Sequence, residues 1–403
     1  MFTKQNKRWL VWMFLVACVT FSNDLFAEEL PEPQKSKLIT KFPFILTSRG
    51  IIIIKANVGI FHESLNFVLD TGSGGISLDS AVAERYHLTA NITDDTIKGI
   101  AQIKRAAFIM NQSLTLPGLT VDNLNFHLND YSFLSSANNI RIDGVIGYSF
   151  LKSFIVGIDY DKQVIEIRKP GTYVYPKNGY IVKTNVDKLA AVNVTLNDSI
   201  RTESHFYFDT GADMSFLLSE AFVEESNVLK NNKKIFLSGA EGIGGKKEML
   251  LTTIDEVSIG PYAIKKVPAY IFNDTYNISN YPQTGGVIGN EIMARFNVII
   301  NYPAGEIHIS PNMTFKNPFD YSYVGCTVIE ENGKATIKNI VKDSPAQWAG
   351  LKDDDIIFGI NNNFNNNVGE YKTLLSDAGA KLKVFLLRGG QVTSTTLEVK
   401  SIL

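Results

Sequence analysis

The chain has 403 residues, of which 45% are hydrophobic and 20% are charged. This composition is typical of a folded globular protein and excludes a collagen-like or mostly disordered chain. Lysine and arginine number 39 against 41 aspartates and glutamates, so the net charge is -2. A near-neutral chain has no general electrostatic attraction for nucleic acid, and no nucleic-acid partner is expected.

Cysteine and histidine usage argues against a metal enzyme. The chain has two cysteines, Cys18 and Cys326, and five histidines. Two cysteines cannot build a disulfide framework or a cysteine-rich metal cluster. The histidines do not have the His-Glu-x-x-His spacing of zinc peptidases. We therefore expect neither a metal nor a cofactor.

The N-terminal segment has the pattern of an export signal. Basic residues precede an apolar run at residues 9–19, which is too short to span a bilayer. Residues 1–27 are therefore predicted to be a signal peptide cleaved after Ala27. Alternatively, the segment Leu-Val-Ala-Cys that ends at Cys18 resembles the lipobox of bacterial lipoproteins and would carry a lipid anchor. Either interpretation predicts an exported protein of the periplasm or cell envelope, without a membrane span in the mature chain.

The sequence contains an internal repeat. The segment Phe-Val-Leu-Asp-Thr-Gly-Ser at residues 67–73 recurs as Phe-Tyr-Phe-Asp-Thr-Gly-Ala at residues 206–212, an offset of 139 (209 minus 70). Further along, Gly-Val-Ile-Gly at residues 144–147 recurs at residues 286–289, an offset of 142 (286 minus 144). Similarity at a fixed offset indicates two copies of one structural unit.

Both copies are predicted to be mainly β. The segments rich in β-branched and aromatic residues in the first copy are 51–58, 65–69, 154–159 and 164–167. The corresponding segments in the second copy are 180–184, 191–196, 206–208, 298–301 and 307–310. A short helix is expected within residues 75–83 and, at the equivalent place in the second copy, within residues 214–222. The pattern predicts two pseudo-symmetric lobes, at residues 41–170 and 178–312.

Each copy places an aspartate at the end of an apolar strand and before a glycine turn. A pseudo-twofold axis between the copies would bring Asp70 and Asp209 together. Two adjacent carboxylates cannot both ionise readily, so one retains a proton while the other accepts one. Such a pair can activate a water molecule and protonate a carbonyl oxygen. Asp70 and Asp209 are therefore candidate catalytic residues. The alternative is that each only caps a local turn.

The repeated segments resemble the two active-site signatures of the aspartic proteases. Asp-Thr-Gly-Ser at residues 70–73 and Asp-Thr-Gly-Ala at residues 209–212 are each followed by an apolar-apolar-glycine segment. The lobes resemble bacterial retropepsin-like sequences more than pepsin. The resemblance implies a catalytic dyad of Asp70 and Asp209, hydrogen bonds across the lobe interface from Thr71 and Thr210, and backbone donors to the carboxylates from Gly72 and Gly211.

The two signatures differ at their fourth position. Ser73 carries a hydroxyl, whereas Ala212 cannot donate one to a carboxylate. A missing donor to the charged form is expected to raise the apparent pKa values of the pair. Two further segments, residues 96–108 and the glycine-rich residues 238–245, are predicted to be flaps that close over a substrate.

The C-terminal residues 318–403 resemble a PDZ domain. The resemblance rests on Ser-Pro-Ala at 344–346, Ala-Gly-Leu at 349–351 and Asp-Ile-Ile at 355–357, with a helix expected at 370–378. It implies that a loop of Val324, Gly325 and Cys326 binds the C-terminal carboxylate of a peptide that adds a strand. Alternatively, the module packs on the protease lobes. Cys326 is expected to be a small buried apolar residue rather than a nucleophile.

Three functions are compatible with these observations. The first is an aspartic endopeptidase that hydrolyses a polypeptide substrate, with the PDZ domain positioning that substrate or a partner. The second is a non-catalytic pseudo-protease and PDZ protein that binds peptides in the cell envelope. The third is a scaffold in envelope assembly that acts through the PDZ domain alone.

Overall fold

The computed structural model describes residues 34–47, 50–99, 103–138, 140–242, 245–317, 319, 324–375, 377–400 and 402. The predicted signal peptide at residues 1–27, with Cys18, lies outside the described residues. Described residues from Lys35 onward belong to one structural unit. In this part of the chain, no helix has the length and apolar character needed to cross a membrane.

The first lobe consists of short strands with three short helices. Helix α1 begins where the side chain of Asp79 accepts a hydrogen bond from the Ala81 N–H. The elements in chain order are β1 (Leu38–Pro43), β2 (Ile45–Leu46), β3 (Ile52–Val58), β4 (Leu65–Leu69), β5 (Ile76–Asp79), α1 (Ser80–Arg85), β6 (Asn91–Lys98), β7 (Ile103–Leu116), β8 (Leu119–Asn129), α2 (Ser132–Asn138), β9 (Gly144–Ile146), α3 (Tyr148–Leu151), β10 (Ile155–Asp159) and β11 (Val164–Arg168).

The second lobe repeats this plan. Helix α4 follows its Asp-Thr-Gly segment and is capped by Ser219, whose side chain accepts from the Phe222 N–H. The elements are β12 (Tyr180–Asp187), β13 (Leu189–Asn197), β14 (Arg201–Phe208), β15 (Phe216–Ser219), α4 (Glu220–Ser226), β16 (Phe236–Gly242), β17 (Gly245–Ile259), β18 (Tyr262–Phe272), β19 (Gly286–Ile288), α5 (Asn290–Met293), β20 (Phe296–Asn301), a 3₁₀ turn (Tyr302–Ala304) and β21 (Glu306–Pro311).

The strand order is the same in both lobes. Lobe 1 has the order β3-β4-β9-β5-β8-β7-β6, and lobe 2 has the order β13-β14-β19-β15-β18-β17-β16. Even the additional pairing of β3 with β7 is repeated as β13 with β17. Side chains alternate between the two faces of each strand. One face of each sheet therefore enters a common apolar core, to which Phe67 and Phe206 both belong.

A central sheet joins the lobes. Its order is β1-β11-β10-β20-β21-β12, so β10 of lobe 1 pairs directly with β20 of lobe 2. The pairing is antiparallel, with Val156 opposite Ile300. Strand β1 begins at Leu38, slightly before the predicted lobe boundary at residue 41, because it pairs with β11 along the edge of this sheet.

The C-terminal module is an α+β unit with its own core. We use this name for residues 324–402, of which 376 and 401 lie outside the described residues. Its sheet has the order β22-β23-β24-β25-β26, and α7 packs against β22. The elements are β22 (Thr327–Glu331), β23 (Lys334–Lys338), α6 (Pro345–Trp348), β24 (Ile356–Ile360), α7 (Val368–Leu375), β25 (Lys381–Arg388) and β26 (Gln391–Glu398).

The predicted fold class is confirmed: the chain is mainly β, with two matched lobes followed by an α+β module. The helix predicted at residues 370–378 spans Val368–Leu375 instead. It starts earlier because the Asn367 side chain accepts a hydrogen bond from the Glu370 N–H (3.1 Å). A turn with Gly379 at φ +89° follows its end.

Candidate active site

The two aspartates lie at equivalent strand ends. Asp70 follows β4 and Asp209 follows β14, and each of these strands pairs in parallel with the Gly-Val-Ile strand of its own lobe. The Asp70 N–H donates to the Ile146 carbonyl, and the Asp209 N–H donates to the Ile288 carbonyl, both at 3.0 Å. The repeated Gly-Val-Ile-Gly segments therefore fix the backbone of the two aspartates.

The two Asp-Thr-Gly loops contact each other through a reciprocal set of hydrogen bonds. The Thr71 N–H donates to Thr210 Oγ1 (3.1 Å), and the Thr210 N–H donates to Thr71 Oγ1 (2.9 Å). The hydroxyl of Thr71 also donates to the Phe208 carbonyl (2.5 Å), and that of Thr210 donates to the Leu69 carbonyl (2.7 Å). Both threonines are buried. These are the hydrogen bonds between lobes that the resemblance implies.

Each glycine of the pair lies against the carboxyl group of the opposite lobe. A Cβ atom placed on Gly72 would lie 2.3 Å from the Asp209 Cγ atom, and one placed on Gly211 would lie 2.4 Å from the Asp70 Cγ atom. Any side chain at either position would overlap a carboxyl group. Glycine is therefore required by the close approach of the two loops, which brings Asp70 and Asp209 together.

Backbone donors surround the carboxyl groups. The Gly72 N–H donates to Asp70 Oδ1 (2.7 Å), and the Gly211 N–H donates to Asp209 Oδ1 (2.8 Å). Asp209 Oδ1 also accepts from the Ala212 N–H (3.2 Å). The Ser73 hydroxyl is directed to the Gly75 carbonyl (3.4 Å). The difference between Ser73 and Ala212 therefore adds no hydroxyl donor at Asp70 in this structure.

The site raises the pKa of both carboxyl groups. Burial raises the pKa of Asp70 well above its ordinary value, and the neighbouring charge of Asp209 raises it further. Burial also raises the pKa of Asp209, partly offset by hydrogen bonds from Asp70 and from the Gly211 backbone. Because the second ionisation would place two negative charges side by side, the pair retains one proton to higher pH than an isolated carboxyl group.

A second layer of polar residues lies between the lobes and was not assigned a role from sequence. The Tyr160 hydroxyl in lobe 1 donates to Asn290 Oδ1 in lobe 2 (2.6 Å), and Asn290 Nδ2 donates to the Gly50 carbonyl. At the equivalent position of lobe 2, the Tyr302 ring lies 6.1 Å from that of Tyr148. The signal was present, since Tyr160 and Tyr302 are separated by the repeat offset of 142 (302 minus 160).

Both predicted flap segments lie in β-hairpins. Residues 96–108 fall in the hairpin of β6 and β7, and residues 238–245 fall in that of β16 and β17. Residues 100–102 and 243–244 are outside the described part of the chain. The hairpins occupy equivalent positions at the end of the strand order in each lobe. Closure over a substrate stays a prediction.

The predicted carboxylate-binding residues lie in the C-terminal module. The Gly325 carbonyl accepts from the Val341 N–H and the Val324 carbonyl accepts from the Ala346 N–H, both at 2.8 Å. Cys326 is buried, and burial raises the pKa of its thiol to about 12, so it is not a reactive thiolate at neutral pH. Among the described residues, no group of three or more His, Cys, Asp or Glu side chains is arranged to hold a metal ion.

The segments that carry the two aspartates are also the segments that resemble known proteins. Residues 56–150 and 192–292 each match the family model described as aspartyl protease. Both lobes match an aspartyl protease family. Each matched segment includes one Asp-Thr-Gly loop and its Gly-Val-Ile-Gly partner. The match indicates an aspartic-type hydrolase. Among curated proteins, none matches the chain in sequence.

Proposed function

We propose that the chain is an aspartic endopeptidase that hydrolyses peptide bonds of a polypeptide substrate with a water molecule bound between Asp70 and Asp209. The observation that carries the proposal is the reciprocal packing of the two loops, in which Gly72 lies against Asp209 and Gly211 lies against Asp70. This packing creates a carboxyl pair that shares a proton, which is the property needed for combined acid and base catalysis.

The hydrogen bonds suggest how the two carboxyl groups divide the work. Asp209 Oδ1 accepts from two backbone N–H groups, those of Gly211 and Ala212, and these favour the charged form. Asp70 Oδ1 accepts from one backbone N–H group, that of Gly72, so its charged form is favoured less. In the singly protonated pair, Asp209 is therefore assigned as the base and Asp70 as the acid.

The proposed reaction needs no covalent intermediate. The Asp209 carboxylate removes a proton from the water, whose oxygen attacks the carbonyl carbon, while the Asp70 proton moves to the carbonyl oxygen. The tetrahedral intermediate collapses when the proton taken up by Asp209 moves to the amide nitrogen and the C–N bond breaks, while a hydroxyl of the intermediate returns a proton to Asp70. A new amine and a new carboxyl group are released, and the pair again holds one proton.

The proposal also gives a role to the C-terminal module and to the predicted export signal. Strand β22 lies at the edge of the module's sheet with helix α7 packed against it, and we propose that a peptide adds a strand there in the groove that the PDZ resemblance implies. Bound peptide at that groove would raise the local concentration of substrate near the lobes. We also propose that the N-terminal segment directs the protein to the periplasm or cell envelope, where unfolded or exposed polypeptides would be its substrates.

The test is hydrolysis of denatured casein between pH 3 and pH 8 by the wild type and by Asp70→Asn and Asp209→Asn. We expect a bell-shaped profile, and a loss of about 10²–10⁴-fold in kcat/KM for either variant. Asp122→Asn is the matched control, because it makes the same chemical change at an exposed residue of β8. Folded wild-type protein that binds the casein but does not hydrolyse it at any pH would support the non-catalytic binder instead.

A further inference from the structure

The face of the lobe 2 sheet that points away from the common core is apolar and buried. Because side chains alternate along a strand, this outer face receives residues adjacent in sequence to core residues. For example, Leu217 lies between the core residues Phe216 and Leu218 of β15. The members of the outer face are Leu217, Met249, Leu251, Tyr270, Phe272 and Val287.

Two residues of the C-terminal module cover this outer face. Val341 and Ile402 pack in the same apolar cluster and are 0% and 3% exposed, respectively. Both residues contact Gly325 of the predicted carboxylate-binding loop. The Val341 N–H donates to the Gly325 carbonyl (2.8 Å), and a Cβ atom on Gly325 would lie 3.3 Å from Ile402 Cγ2. The loop therefore holds the two apolar side chains against lobe 2.

The covered face extends to the catalytic loop. Tyr207, Ala212 and Met214 pack against the same cluster. Tyr207 precedes Asp209 by two residues, and the Ala212 N–H donates to Asp209 Oδ1. The module therefore contacts an apolar surface that continues to the residues on either side of Asp209.

The module also reaches lobe 1. Its edge strand β22 lies against helix α2 of that lobe. Contacts to both lobes hold the module in place from two sides, and β22 is also the strand to which a peptide would add. A single docked position thus affects the apolar surface beside Asp209 and the edge of the peptide groove.

We propose that the docked C-terminal module covers the surface beside Asp209 that binds the substrate. A polypeptide substrate binds this surface when Val341 and Ile402 move away from it. The inference rests on the proposed function. An extended polypeptide directs alternate side chains to each wall of a cleft, and an apolar side chain of the substrate competes with Val341 and Ile402 for the outer face. The affinity for substrate is then reduced by the fraction of molecules in which the module is docked.

The experiment weakens docking in the full chain with Ile402→Asp and, separately, Val341→Asp. Ile402 follows the last strand and Val341 lies between strands, so neither change interrupts the sheet of the module. Val392→Asp is the control, since it places the same charge on β26 at a side chain that is 71% exposed. Near-ultraviolet circular dichroism verifies that each variant is folded.

Two quantities are measured for each protein. The first is the affinity for a peptide that carries a hydroxyl-bearing tetrahedral group in place of the scissile amide. The second is the fluorescence of a dye that binds exposed apolar surface. We expect both docking variants to bind the peptide about tenfold more tightly, as when a form that is open in one molecule in ten becomes dominant. We also expect higher dye fluorescence, with Val392→Asp unchanged in both respects.

The outcomes separate this inference from the proposed function. Unchanged or weaker peptide binding by both folded docking variants overturns the inference, because the module then supports the substrate surface or is irrelevant to it. Higher dye fluorescence without peptide binding by any of the proteins, wild type included, contradicts the proposed function while showing that the module covers the outer face. Unchanged dye fluorescence in both docking variants also overturns the inference.

Discussion

The two lobes share a strand order and reciprocal loop contacts, but the outer faces of their active-site sheets are covered differently. In lobe 1 that face includes Val68 and Val145, and it is covered by Tyr131 and Ile142 of the same lobe. In lobe 2 the equivalent face includes Val287 and is covered by residues of the C-terminal module. The two Asp-Thr-Gly loops thus constrain each other through matched contacts, whereas the covering of the sheet beside each loop differs between the lobes.

The reciprocal contacts of the two Asp-Thr-Gly loops, which are alike in both lobes, are tested most strongly by substituting Gly72 and Gly211. Gly72→Ala and Gly211→Ala each place a methyl group on the opposite carboxyl group, so each should lower kcat/KM by about 10²-fold or more, because small displacements at a reacting centre are costly. Gly74→Ala is the control, since its Cβ atom would lie at an ordinary contact distance of 3.9 Å from the Lys188 Cβ atom. Equal activity of Gly72→Ala and Gly74→Ala would contradict the reciprocal packing.

Substitutions of Thr71 and Thr210 test the same reciprocal contacts through the free energy of unfolding. Thr71→Val leaves the Thr210 N–H and the Phe208 carbonyl without their partner, and Thr210→Val does the same to the Thr71 N–H and the Leu69 carbonyl. Each unsatisfied buried group costs about 1–3 kcal/mol, so each variant, with two such groups, should lose about 2–6 kcal/mol of unfolding free energy in urea.

The two threonine variants should be equally unstable because their hydrogen bonds are reciprocal. Thr120→Val, at an exposed position of β8, serves as the control and should stay within about 0.5 kcal/mol of the wild type. A large difference between Thr71→Val and Thr210→Val would break the symmetry described here.

The shared proton predicts a gain in stability when one charge is removed. A carboxyl group with a raised pKa binds more protons in the folded state than in the unfolded chain. Stability therefore falls as pH rises from the unfolded pKa near 3.8 through the folded pKa. Asp70→Asn should raise the Tm at pH 7 by a few degrees, since about 1 kcal/mol corresponds to about 2–4 °C.

The pH dependence is the control for this effect. At pH 3, where the carboxyl group is mostly protonated in both states, Asp70→Asn and the wild type should melt at similar temperatures. Asp209→Asn should behave alike, because burial raises the pKa of Asp209 as well. Lower Tm values for both variants at pH 7 would mean that the charges stabilise the fold.

The smallest expected effect concerns the position at which the two loops differ. Ala212→Ser adds a hydroxyl next to Asp209 that can donate to the carboxylate. It should shift the pH profile of kcat/KM toward lower pH by less than about one unit, because one hydrogen bond of about 1 kcal/mol sets the upper limit and the equivalent Ser73 hydroxyl donates to a backbone carbonyl instead. Ser73→Ala should leave the profile in place, because the Ser73 hydroxyl donates to the Gly75 carbonyl. A shift of the pH profile in Ser73→Ala but not in Ala212→Ser would contradict this expectation.

The sequence was sufficient to predict the two lobes because the repeat carries its own internal check. The three residues directly before each aspartate, 67–69 and 206–208, are apolar, and a glycine follows two residues after each aspartate, so local pattern and offset agree. The fold class is therefore confirmed. The short helices expected within residues 75–83 and 214–222 begin only at Ser80 and Glu220, because residues 76–79 and 216–219 form strands β5 and β15.

Contacts between distant segments were harder to predict. The hydrogen bond from Tyr160 to Asn290 joins residues 130 positions apart, and the sequence contains no pattern that pairs them. Helix α2 is a local feature of lobe 1 without a helical counterpart at the offset position of lobe 2. Docking of Val341 and Ile402 depends on the shapes of two complete units, although packing of the module on the lobes was one of the two alternatives.

Because β10 pairs directly with β20, dilution of the protein should not separate the two aspartates. Because the two half-sites lie on one polypeptide and share a continuous sheet, Asp70 meets Asp209 within a single molecule. Assembly of the carboxyl pair is thus a unimolecular event, and its extent does not depend on how much protein is present. One molecule alone in a large volume would have the same complete pair as a molecule in a concentrated solution.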